Sequence, residues 1–295
     1  MEPDPFKART LDEVPTHLSA YGRDAYQRTC LSMLSTGIHK WGFVIYRCTY
    51  DDDELWNRYL AQLKSFCHYQ LVEYQRAELL EQYLDWVVNE DRATLNNASR
   101  VEVRKHFNQW VSEQNVPMFP TKAYLNIFPI QMPRFRYCLY VDKQCLNTII
   151  QFQEANDSTA LFLSELPPMV FAIVDRTWTP NGTQDEFDIR KALKEKEEND
   201  KEHGDNEQDD EEESEDEDED EDEEDDEEDD EEDQYDRGYP PIDGSDRRYV
   251  GWMYCSALYV AGLYEQLHGI NGLDDEDSYF RPPGIYPRRG RSMPS

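Results

Sequence analysis

Trp41-Gly-Phe-Val-Ile-Tyr-Arg-Cys-Thr-Tyr50 is a run of β-branched and aromatic residues with little polar alternation. That composition reads as a strand covered on both faces. Asp51-Asp52-Asp53-Glu54 follows, and Leu55, Trp56, Tyr59, Leu60, Leu63 and Phe66 then recur at helical spacing. Carboxylates at such a junction cap the orphan N–H groups of a new helix and sit at its positive end, which explains the four acids without chemistry. Strand, acidic turn and amphipathic helix are the opening half of an α+β unit.

Working outward, residues 1–38 read as an irregular lead-in with a short helix near residues 25–34. Leu79, Leu80, Tyr83, Leu84, Val87 and Val88 form one helical stripe. A second helix begins at Ser99-Arg-Val-Glu102, a capping-box spelling, with Val103, Phe107, Trp110 and Val111 inward. After four prolines between residues 117 and 133, Phe135, Tyr137, Leu139 and Val141 alternate with Arg136, Cys138 and Tyr140 as a half-buried strand. Asp142 caps a short helix. Met169-Val-Phe-Ala-Ile-Val174 and Tyr249-Val-Gly-Trp-Met-Tyr254 read as further strands, and a last helix runs from Ser256 to a Gly269 cap.

These elements predict an α+β fold. Its core is a single mixed or antiparallel sheet, a ferredoxin-like unit, with a helical insertion and a long disordered acidic loop. The expected organisation is one domain over 39–182 and 245–283, a helical insertion at 71–115, an acidic insertion at 183–244 and a basic flexible tail at 284–295.

The charge is concentrated in one place. The 295 residues hold 30 Lys+Arg and 64 Asp+Glu, a formal charge of −34. Residues 205–236 supply 27 acids in 32 positions and no Lys or Arg, so the rest carries −34 + 27 = −7. Such a block is a self-repelling polyanion with almost nothing to bury. Its acids, among them Asp209, Asp210, Glu211, Glu212, Glu213, Glu215 and Asp216, suit capture of basic proteins through many screened ion pairs. The plainest reading is a solvated spacer that binds nothing specifically; weak, non-selective binding of hard cations is a further use, with no EF-hand spacing present. Nucleic acid is disfavoured, because the charge repels phosphate and the one basic cluster is Arg288-Arg289-Gly-Arg291.

Other chemistry is thinly signalled. There is no GxGxxG, P-loop, GxSxG, HExxH or CxxC spelling, so no cofactor or metal is expected. Six scattered cysteines fit a reducing compartment, and the acidic N-terminus and lack of a long apolar run place the chain in cytoplasm or nucleus without a membrane span. The leading reading is a non-enzymatic interaction protein whose loop contacts basic partners or acts as a spacer. The alternative is a small-molecule enzyme or binding protein with a pocket on the sheet face, lined by Tyr46, Tyr137, Tyr140, Asp175, Trp178 and Trp252. Asp175 stands out as a carboxylate at a strand end beside Arg176, a common mounting point for sites. Nothing in the sequence specifies an oligomeric state.

The order of motifs is itself distinctive: Trp41-Gly-Phe-Val-Ile-Tyr-Arg, Asp53-Glu-Leu-Trp56, Leu84-Asp-Trp-Val-Val, Phe135-Arg-Tyr-Cys138, an acidic run, Val250-Gly-Trp-Met253 and Phe280-Arg-Pro-Pro283. It resembles an uncharacterised, multi-copy protein family of filamentous fungi. That resemblance implies a variable acidic insertion between conserved-looking strands and brings no activity, cofactor or catalytic residue with it.

Overall fold

The computed structural model describes residues 8–14, 25–114, 132–158, 162–180, 182–183, 237–268, 272–275 and 278–293. The chain forms two compact units, one of Met1–Arg176 with Gly251–Ser295 and one of Thr177–Val250.

The first unit is built on a seven-stranded mixed sheet. Its strands are β1 (Val44–Arg47), β2 (Val87–Asn89), β3 (Tyr137–Val141), β4 (Val170–Asp175), β7 (Trp252–Ser256), β8 (Gly284–Tyr286) and β9 (Arg288–Ser292), in the order β2-β1-β3-β4-β7-β8-β9. β2 and β3 flank β1 and run parallel to it, with Val44 opposite both Val87 and Cys138. β4 is antiparallel to both its neighbours, β3 and β7, while β8 is parallel to β7 and β9 returns against β8.

The opening motif behaves as its composition dictates. All four residues of β1 are buried, and so are all of β3, β4 and β7. Full burial on both sides requires helices on both sides. Arg47 faces α2 (Asp53–Glu73), with its guanidinium 5.2 Å from the Trp56 ring. Tyr46, pointing the other way, meets Phe107 of α5 (Arg100–Glu113) at 6.2 Å. On the α2 side lie also α7 (Lys143–Ser158) and α8 (Val260–Gln266), and α1 (Gln27–Thr36) packs on α8. The Tyr59 hydroxyl of α2 crosses to donate to the Val170 carbonyl at 2.7 Å.

β1, β2 and β3, the three mutually parallel strands, each run into a capped helix. Asp52 accepts from Leu55 N–H at the start of α2, Asp91 from Ala93 N–H at the short α4 (Arg92–Leu95), and Asp142 from Cys145 N–H in α7. Capping is therefore the work of Asp52, while Asp51 pairs with Lys143 at 2.8 Å and Asp53 with Arg47. The Ser99–Glu102 capping box is present in full.

The α+β class and the single mixed sheet match expectation; several details within it differ. Four core strands lie side by side in chain order, which is not the ferredoxin-like arrangement. Residues 84–88, expected on a helical stripe, include β2: two β-branched valines pair with β1 where a short apolar run fits either period. Most of the proposed helical insertion at 71–115 is thus integral to the sheet and its cover. β3 is buried on both faces because α5 covers the side expected to be polar. The helix after Asp142 is long, sixteen residues. The segment expected as a flexible basic tail enters the sheet as β8 and β9. Gly269 and residues 184–236 of the acidic insertion lie outside the described residues.

The second unit contains the hairpin of β5 (Trp178–Thr179) and β6 (Gly182–Thr183), and a turn in which Ile242 and Ser245 exchange backbone hydrogen bonds. All six cysteines are buried free thiols. No described helix is long and apolar enough to cross a membrane.

Candidate functional site

Strand register brings one row of side chains together on the α5 side of the sheet. Tyr46 is opposite Asn89 on β2 and Tyr140 on β3, Tyr140 is opposite Ala172 on β4, and Ala172 is opposite Tyr254 on β7. The row is Asn89, Tyr46, Tyr140, Ala172, Tyr254. Two residues along, on the same face, lie Val44, Cys138, Val174 and Trp252. Small Ala172 lies where α5 packs over β3 and β4.

The polar groups on this face divide into two kinds. Tyr140 donates its hydroxyl to the Ala98 carbonyl at 3.0 Å, just before α5, and the Tyr254 hydroxyl lies 3.2 Å from Gln144 Oε1. The Tyr46 hydroxyl, Asn89 Nδ2 and Trp252 Nε1 are buried with no hydrogen-bond partner among the described residues. Buried polar groups are paired in the great majority of cases, so each unpaired donor calls for an explanation. Trp252 has a partner for its ring, since Arg100 places its guanidinium 3.8 Å above it and 5.9 Å from that of Tyr140. Burial raises the pKa of both Tyr46 and Tyr140, with nearby thiols adding to the effect at Tyr46, so both phenols stay protonated.

Three of the six pocket residues expected from sequence, Tyr46, Tyr140 and Trp252, share this face. Tyr137 and Asp175 are opposite each other on β3 and β4 and point to the other side. There the Tyr137 hydroxyl accepts from Leu273 N–H at 3.1 Å, and at Gly272, which has φ +55, a Cβ would collide with that same oxygen. The fully buried Asp175 carboxylate pairs with Arg136 at 3.3 Å, and that guanidinium lies 5.3 Å from the Tyr137 ring. These contacts are those of a structural ion pair. Trp178 belongs to β5 of the second unit. Asp209, Asp210, Glu211, Glu212, Glu213, Glu215 and Asp216 lie outside the described residues.

Sequence reasoning missed Asn89, Arg100 and Tyr254. Asn89 was concealed by reading its segment as helix. Tyr254 was visible as the residue two beyond Trp252 on a strand, and Arg100 only as a position inside a capping box.

Another polar cluster joins α1 to α8. His268 Nε2 is 3.0 Å from Ser32 Oγ, while its Nδ1 faces the carbonyls of Tyr264 and Glu265. Those carbonyls place the ring proton on Nδ1, and burial lowers the His268 pKa to about 3. Ser32 is fully buried, and its Oγ is also 2.9 Å from the Thr29 carbonyl, so its single proton serves either that oxygen or Nε2. A nucleophile needs access to substrate, so this serine–histidine contact is an interhelical link. Among the described residues no three His, Cys, Asp or Glu side chains gather as a metal site.

No family model matches the chain, and no curated protein or solved structure matches it.

Proposed function

We propose that this chain is an intracellular interaction protein, cytoplasmic or nuclear, whose acidic segment is the contact for basic protein partners. One observation carries the reading: 27 of the 32 residues at 205–236 are acidic and none is basic. The segment belongs to an excursion whose two ends meet where β4 ends and just before β7 begins, Asp175 N–H donating to the Gly251 carbonyl at 2.9 Å. A polyanion held at both ends attracts basic partners over a Debye length and releases them as salt rises. The resemblance to a fungal family with a variable acidic insertion fits a segment that tolerates change in length.

The test is binding of purified core histones, as model basic proteins, to the full chain and to a variant lacking residues 205–236. The expected result is binding near physiological salt that is lost on deletion and at several-fold higher salt. Salt-stable binding that survives the deletion would move the contact to the folded surface. No binding by either form would leave the segment as a spacer.

A second reading, a small-molecule site on the sheet face, is favoured by the unpartnered donors of Tyr46, Asn89 and Trp252.

A further inference from the structure

We propose that Tyr46 Oη and Asn89 Nδ2 form a paired donor site for the acceptor oxygen of a small, flat, uncharged ligand admitted along the β2 edge of the sheet. The inference rests on the sheet-face reading and deepens it.

The two residues are direct partners on neighbouring parallel strands, so their side chains leave the same face about 5 Å apart at the backbone. An amide nitrogen only donates, and a protonated phenol donates as readily as it accepts. Neither group has a partner among the described residues, and both polar atoms are buried. A carbonyl oxygen has two lone pairs and so can accept from two donors.

The rest of the ligand follows from the surroundings. The Phe107 ring meets Tyr46 edge-on, and Trp110 stacks on Phe107 at 5.9 Å with 15° between the planes. Flat aromatic walls suit a flat apolar body. Burial penalises charge on a ligand as it does on a side chain, and the negative field of Glu113 reaches Tyr46, which argues against an anion. β2 is the edge strand and all three of its residues are only half-buried, as is Trp110. Entry from that edge therefore needs no opening of the central strands.

The experiment uses two probes of nearly the same shape. Acetophenone carries a carbonyl where α-methylstyrene carries a methylene. Each is titrated into the full-length chain while the Asn89 side-chain amide is followed by ¹⁵N NMR. Acetophenone should move that resonance saturably. Acetophenone with the Tyr46→Phe variant, which forfeits one hydrogen bond, should bind roughly tenfold more weakly, and α-methylstyrene, which forfeits both, should bind more weakly still. Tyr46→Phe keeps the ring and its packing, and the isostere comparison needs no variant at all. Equal binding of both probes would overturn the donor-pair inference and leave an apolar sheet-face site standing. Failure of both probes to move the Asn89 amide would overturn the inference and the sheet-face reading together.

Discussion

The backbone N–H of Asp175 donates to the carbonyl of Gly251 at 2.9 Å, so the last residue of β4 and the residue before β7 close the neck of the excursion that carries the acidic segment. Arg104 of α5 secures both sides of that neck. Its Nε–H donates to the Asp175 carbonyl at 2.9 Å and an Nη2 hydrogen to the Gly251 carbonyl at 3.1 Å. Closing a long loop costs only logarithmically more than closing a short one, so a few good contacts at the neck are enough to anchor it. α5 thus has two tasks, covering the Tyr46 face and holding this neck.

Replacing Arg104 should be costly. The residue is buried, and Arg104→Ala removes two charge-assisted hydrogen bonds and leaves two carbonyls short of a donor. A loss of about 3 kcal/mol is expected in urea denaturation. Arg104→Lys should recover less than half of it, because an ammonium lacks the planar fork that spans both carbonyls. A near-neutral Arg104→Ala would remove Arg104 as the anchor.

Two tyrosines should respond to loss of a hydroxyl with opposite signs. Tyr59 donates to the Val170 carbonyl across the α2–sheet interface, and Tyr59→Phe should cost about 1–2 kcal/mol. Tyr26 is also buried, but its hydroxyl has no partner among the described residues and its ring packs edge-on to Tyr74 at 5.8 Å. Tyr26→Phe keeps the ring and removes an unmet polar group, so it should be neutral or up to about 1 kcal/mol stabilising. Equal destabilisation by the two changes, read as urea midpoints, would contradict this.

The α5 capping box offers a smaller, sharper test. Ser99 Oγ accepts from Glu102 N–H, and the Glu102 carboxylate returns to Ser99 N–H at 2.7 Å, which lowers the Glu102 pKa. Ser99→Ala should cost about 1 kcal/mol, and Ser99→Asp should restore most of it. Protection of the first α5 amides from hydrogen exchange should fall in the alanine variant and return in the aspartate one.

Acid should weaken the α1–α8 contact through His268. Its pKa is lowered from 6.5 to about 3 by burial, so the folded state holds the neutral ring while the unfolded chain takes a proton. This contribution to stability is present above pH 6.5 and is lost as pH falls towards about 3. Glu265, whose pKa burial raises against hydrogen bonds from Thr29 and Arg28, acts in the opposite sense: its contribution is present below 4.5 and is lost as pH rises. Comparing wild type with His268→Gln isolates the histidine. Between about pH 7 and pH 4.5 the wild type should lose about 2–3 kcal/mol more than the variant. Parallel pH profiles would show that His268 is not the titrating group.

Local signals in the sequence were readable wherever a short stretch carries its own physics. The Trp41–Tyr50 run gave a doubly covered strand because β-branched and aromatic side chains fit a pleated surface with neighbours on both sides. Ser99 and Glu102 marked a helix start because capping is a contact between residues three apart. The acidic block announced itself by charge alone. Leu84-Asp-Trp-Val-Val was misread because five residues cannot distinguish a buried strand from a helical stripe, and pairing with β1 decided the matter.

The candidate site was half legible for the same reason. Tyr46, Tyr140 and Trp252 were each visible as aromatic residues on strands, but nothing local says which face a residue takes or what lies opposite. Register did that, placing Asn89 beside Tyr46 and turning Tyr137 and Asp175 to the other side. By itself the sequence determined the α+β composition, the helix caps and the acidic segment, all of which depend on near neighbours and composition. Only the tertiary structure decided the strand order, the two-sided cover of β3 and the unpartnered Tyr46–Asn89 donors, because each depends on pairing between residues far apart in the chain.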